Sequence, residues 1–146
     1  MTAPDIFVRN LQRKIPVEVA ELQNFAVKAV RCALQLHKRK KTDLRRLGDI
    51  FVWLISDRRM AALHQKFMHQ VGPTDVLTFQ HGEIFISVDT AKRHARSFRT
   101  SLESELCLYV VHGLLHLNGF DDRTQTGVRK MQKVQERILQ NCGGTL

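Results

Sequence analysis

The chain has few cysteines, no long hydrophobic run and little acid. Cys32, Cys107 and Cys142 are odd in number, widely spaced and without a CxxC pair, which excludes a disulfide framework or a thiolate zinc cluster as the organising principle. They read as reduced thiols. The longest apolar stretch, Cys107 to Leu117, is interrupted by two histidines and falls short of the roughly 20 residues a membrane-spanning helix needs. The opening "MTAPDIFVRN" lacks the basic start, apolar segment and small-residue cleavage site of a secretory signal. Together these features predict a cytoplasmic protein without a membrane partner. Acid is scarce relative to base, with 14 Asp and Glu against 23 Lys and Arg and a net charge of +9. Such a surface attracts polyanions, and nucleic acid is the expected partner. What remains is ordinary globular composition, and 146 residues without an internal repeat fit one domain, 1–146, with a real core.

Periodicity supplies the elements. "IFVRNL" (6–11) reads as a strand. From Pro16, Val19, Leu22, Ala26, Ala29, Val30 and Ala33 recur at helical spacing and predict a helix to about His37. The basic run "HKRKKTDLRR" (37–46) is either a solvated turn or a phosphate-contacting patch. "DIFVWLIS" (49–56) is nearly continuous in apolar character, as expected of a central strand. Asp57 is placed to cap a helix carrying Met60, Leu63 and Phe67. Gly72 and Pro73 end that helix, and "DVLTF" (75–79) and "EIFIS" (83–87) read as a hairpin joined at "QHG".

A short helix from Asp89 carries Lys92, Arg93, Arg96 and Arg99. Thr100 with Glu103 fits a capping box for a helix running to Leu117. A last helix is expected from about Thr124 to Leu139, with Val128, Met131, Val134 and Ile138 inward. The predicted class is α/β (α+β), one small mixed four-stranded sheet packed with about five helices.

Chemistry concentrates in "HGLLHLNGFDD" (112–122). Residues four apart share a helix face, so His112 and His116 can aim imidazole nitrogens at one ion. Asn118 and Gly119 suit a left-handed helix terminus, which returns the chain and brings Asp121 or Asp122 toward the pair. Two imidazoles and a carboxylate, with a position left open, form a catalytic zinc arrangement; a buried helix with hydrogen-bonded histidines is the alternative. Gly113 replaces the glutamate that an HExxH protease requires. Its small size leaves room for a group to approach the metal.

The same segment resembles the hallmark HGxLHLxGYDH of the YbeY endoribonuclease and rRNA maturation factor family, and "PTDVLTF" (73–79) with "GEIFIS" (82–87) resembles a second family segment. The resemblance implies a metal-dependent single-strand endoribonuclease acting in small-subunit rRNA processing and ribosome quality control. The alternative is a non-catalytic RNA-binding biogenesis factor with a structural or absent metal. It implies metal ligation by His112, His116 and Asp122, with Asp121 the alternative carboxylate. The ion is Zn2+ or another divalent metal, through which the histidines act in catalysis.

RNA contact falls to Lys38, Arg39, Lys40, Lys41, Arg45, Arg46, Arg93 and Arg96. The expected partners are rRNA and the small ribosomal subunit. Asp75 is either a turn cap or a catalytic carboxylate, and Glu105, seven residues before His112, could orient a ligand. Two departures stand out: Asp122 occupies the place of the family's third histidine, and Met68 that of a cleft arginine.

Overall fold

Strands and helices are interspersed along the chain in the computed structural model, which describes residues 3–36 and 41–143. The order is β1 (Asp5–Asn10), α1 (Val19–Leu34), α2 (Asp43–Arg46), β2 (Asp49–Ile55), α3 (Asp57–Met68), β3 (Val76–Phe79), β4 (Glu83–Ser87), α4 (Val88–Phe98), α5 (Leu102–Leu117) and α6 (Gln125–Cys142). The sheet runs β1-β2-β4-β3. β1, β2 and β4 are parallel, and β3 pairs antiparallel with β4 at the edge. The mixed four-stranded sheet therefore matches the expectation, with β2 and β4 in the middle.

Alternation along the strands decides the layers. Ile6, Val8, Ile50, Val52, Leu54, Ile84 and Ile86 point to one face and join the main core with α1 and α5. On the opposite face, Ile55, Met60 and Leu77 form a smaller cluster. α5 lies in the middle of the larger layer, buried along most of its length. Gly113 makes that position attainable: a Cβ there would stand 2.8 Å from both Cδ1 and Cγ2 of Ile84. The space beside Gly113 is thus filled by β4, which corrects the expectation that it opens toward the metal.

Several boundaries differ from the sequence reading for local reasons. α1 ends at Leu34, before the expected His37, and residues 37–40 lie outside the described ones. Within the basic run, "DLRR" forms the short α2, capped by the Thr42 hydroxyl and anchored by fully buried Leu44. One apolar residue among cations was enough to fix it, so among the described residues six helices stand where about five were expected. Serines also displace the anticipated caps: Ser56 accepts the Arg59 N–H ahead of α3, and Ser101 accepts the Ser104 N–H ahead of α5. Thr100, expected to cap α5, donates to Glu105 at 3.0 Å instead. α6 starts after the Thr124 cap as expected but continues to Cys142.

Cys32 and Cys142 are free thiols with sulfurs 2.7 Å apart between α1 and α6. Burial, then the neighbouring Cys32, pushes the Cys142 thiol up to about 12. No helix among the described residues is long and apolar enough to cross a membrane.

Candidate metal centre

The last two turns of α5 carry His112 and His116 out of the core to the floor of an open cavity of about 800 Å3. Their Nε2 atoms stand 3.0 Å apart. Beyond them the helix ends through a division of labour. Gly119 (φ 89°) takes the left-handed turn, whereas Asn118 (φ −93°) does not. Fully buried Asn118 accepts from the Thr42 hydroxyl at 2.9 Å and donates to the Ala33 carbonyl at 2.7 Å, tying the end of α5 to α2 and α1. Phe120 then inserts into the core, which fixes where the next two residues emerge.

Those two residues part. Asp121 turns to Arg123, accepting from its backbone N–H at 2.8 Å and from its Nε at 2.7 Å. These Arg123 hydrogen bonds hold the Asp121 carboxyl below the usual range. Asp122 turns to the histidines, its Oδ2 lying 3.5 Å from each Nε2. Gly127 is the hidden condition of this loop, because a Cβ there would come within 2.1 Å of the Asp121 carbonyl oxygen.

The donor set fits a divalent ion. Sides of 3.0, 3.5 and 3.5 Å define a triangle whose circumcentre lies about 1.9 Å from each atom, close to the roughly 2.0–2.2 Å bond lengths of zinc to nitrogen and oxygen. His112 Nδ1 faces Gln135 Oε1 at 2.6 Å, so that nitrogen carries the proton and Nε2 presents a lone pair. Burial, then the neighbouring His112, lowers the His116 pKa against the pull of Asp122 and Asp121. A neutral imidazole is the ligating form.

Of the residues nominated from sequence, His112, His116 and Asp122 come together, and Asp121, the alternative, is engaged elsewhere. Asp75 lines the same cavity, and its carboxylate accepts from the Val76 N–H at 2.8 Å and the Thr74 hydroxyl at 3.5 Å, as a turn cap does. Glu105 is buried and takes its hydrogen bond from Thr100, not His112. Gln135, 23 residues from His112 in sequence, fills the orienting role, and only its place on the inward stripe of α6 hinted at it. Met68 lines the cavity.

Among the nominated cations, Lys41, Arg45 and Arg46 flank Asp43, a cavity-lining residue. Arg46 pairs with Asp43, and Arg45 donates to the Leu34 carbonyl. Arg93, on α4 with Arg96, pairs with Asp57 at 2.5 Å. Burial works against the Asp57 charge, but hydrogen bonds from Arg93, Ser87 and Thr90 hold its pKa below the usual value. Lys38, Arg39 and Lys40 lie outside the described residues.

Residues 7–143 match the family model described as Endoribonuclease YbeY. An endoribonuclease YbeY of Thermus thermophilus is 38% identical over 107 residues, covering 64% of this chain and 77% of that protein. Its counterpart from Chlamydia trachomatis is 30% identical over 151 residues, covering 94% and 88%. The solution structure of a Thermotoga maritima protein superposes with a TM-score of 0.60 at 27% identity, over 92% of this chain and 91% of that one.

Proposed function

The chain belongs to the endoribonuclease YbeY family, and we propose that it cleaves single-stranded RNA at a divalent ion held by His112, His116 and Asp122, with zinc the first candidate. The observation that carries this reading is the convergence of three donor atoms from two elements on one point of an open cavity. Bound there, a divalent ion supplies Lewis-acid polarisation of a phosphoryl oxygen and stabilises the charge that develops on it.

The residues of the chain prepare that point. Gln135 fixes the His112 ring and its tautomer. Burial keeps His116 neutral at ordinary pH. Asp122 adds one negative charge where three histidines would add none, which lowers the net charge of the loaded site by one unit. Asp75 lines the same cavity and is the further catalytic carboxylate proposed there, in addition to its turn-capping bonds to Val76 and Thr74. Lys41, Arg45 and Arg46, sequence neighbours of the cavity-lining Asp43, and Arg93 and Arg96 on α4 belong to the basic surface proposed to hold the RNA backbone. The substrate class is rRNA of the small ribosomal subunit and the setting the cytoplasm.

Elemental analysis of purified protein, followed by cleavage of a labelled single-stranded RNA by wild type and His116→Ala, tests this. About one divalent ion per chain and a cleavage rate at least ~100-fold lower in the variant are expected. Undiminished cleavage by a folded, metal-free His116→Ala protein would refute it.

A further inference from the structure

α6 carries an exposed stripe of positive charge that outnumbers its acid. Arg129, Lys133 and Arg137 are exposed and follow one another at four-residue intervals, which spaces them about 6 Å apart along the axis. That interval is close to the separation of successive phosphates in an extended strand. Glu136 is the single acid of the helix. None of the three cations has an ion-pair partner among the described residues, whereas Arg46 and Arg93 do.

The stripe connects to the metal cavity. A second groove of about 420 Å3, lined by Arg123, Thr124, Gln125, Arg129 and Gln132 together with Asp122, shares Asp122 and Arg123 with that cavity. Within the cavity Arg123 is the one lysine or arginine among the described lining residues, against Asp43, Asp75, Asp121 and Asp122. Both Nε and Nη2 of Arg123 bond to one Asp121 oxygen, at 2.7 and 2.6 Å, while 85% of the side chain stays exposed. Among the charged residues that line the cavity, a polyanion at the histidines therefore meets four carboxylates and one guanidinium, that of Arg123 just ahead of α6.

We propose that the RNA strand leaves the metal cavity along α6, with Arg123 receiving the phosphate nearest the histidines and Arg129, Lys133 and Arg137 taking the following ones. The proposal rests on the endoribonuclease reading and adds to it a direction and a footprint. Backbone contact of this kind is sequence-independent and releases counterions, contributing about 0.7 to the salt slope per single-strand phosphate.

The test uses the full chain stripped of metal by a chelator, so that binding is measured without cleavage. Anisotropy of a labelled 12-nucleotide oligouridine, titrated from roughly 50 to 200 mM salt, is compared between wild type and Arg129→Gln/Lys133→Gln/Arg137→Gln. The slope of log K against log salt is expected to fall by about 2, with affinity more than tenfold lower at the lowest salt and an unchanged Tm. With metal restored, KM should rise at least tenfold while kcat moves little. An equal loss of charge at exposed Arg13, Lys28 and Arg31, in Arg13→Gln/Lys28→Gln/Arg31→Gln, gauges any nonspecific effect. An unchanged slope in the α6 variant, or an equal fall in both variants, would overturn the proposal. His116→Ala keeps the two readings separable. If cleavage persists in it while the α6 variant loses its slope, the metal reading fails and the α6 path stands.

Discussion

His112 Nδ1 and Gln135 Oε1 lie 2.6 Å apart across the α5–α6 interface, and this contact joins the candidate metal centre to α6. Gln135 belongs to the buried stripe of α6 with Met131, Ile138 and Cys142. The apolar packing that docks α6 therefore also sets the ring angle and tautomer of His112, one of the proposed ligands. Gln135→Ala should weaken metal binding by about 10- to 100-fold. Gln135→Glu, which keeps the acceptor, should restore most of the affinity. Competition titration against a chromophoric chelator reads both, and equal affinity in wild type and Gln135→Ala would count against the orienting role.

Asp122, as the proposed third ligand, would set the charge of the loaded site. Asp122→His replaces an anion with a neutral ligand and makes the ion a stronger Lewis acid. The pH of half-maximal RNA cleavage should then move down by about half a unit to one unit. A pH–rate profile decides the matter, and a shift in the opposite direction would exclude Asp122 as the third ligand.

His116 titrates with a sign that can be worked out. Burial first, then His112, lowers its pKa in the folded metal-free protein, while the unfolded chain protonates near 6.5. The unfolded state therefore takes up the proton first as pH falls. His116 contributes stability that is present above about pH 6.5 and is lost as the pH drops toward the folded value. Urea midpoints of the metal-free protein should decline from about pH 7 to pH 5, and His116→Gln should flatten that decline. Midpoints that rise on acidification in the wild type alone would contradict this assignment.

Gly113 is required by the sheet beneath it. Gly113→Ala places a methyl group 2.8 Å from two Ile84 carbons. The resulting strain, about 1–3 kcal/mol, outweighs a helix-propensity gain of up to about 1 kcal/mol. A Tm lower by roughly 2–6 °C is expected from calorimetry. An unchanged Tm would mean that Ile84 yields freely.

The residues of the sequence were sufficient for whatever depends on near neighbours. The apolar run of β2 marked a central strand, the four-residue spacing of His112 and His116 put two imidazoles on one face, and "LNGFDD" supplied a turn with carboxylates in reach. Family motifs supplied the activity. Helix boundaries were harder, because Ser56, Thr100 and Ser101 offer competing caps of nearly equal intrinsic preference.

What tertiary structure alone decided are choices between groups that look alike in one dimension. Asp121 and Asp122 are adjacent and identical, yet Phe120 in the core and Gly127 beneath the loop turn one to Arg123 and the other to the histidines. Glu105 shares a helix with His112, but Gln135 reaches it from another. The basic residues likewise separate only in space, Arg46 and Arg93 into ion pairs and Arg129, Lys133 and Arg137 onto an open stripe. The physical reason is common to all three. Helical period and turn chemistry act over a few residues, whereas a side chain's partner depends on which distant backbone the packed core holds beside it.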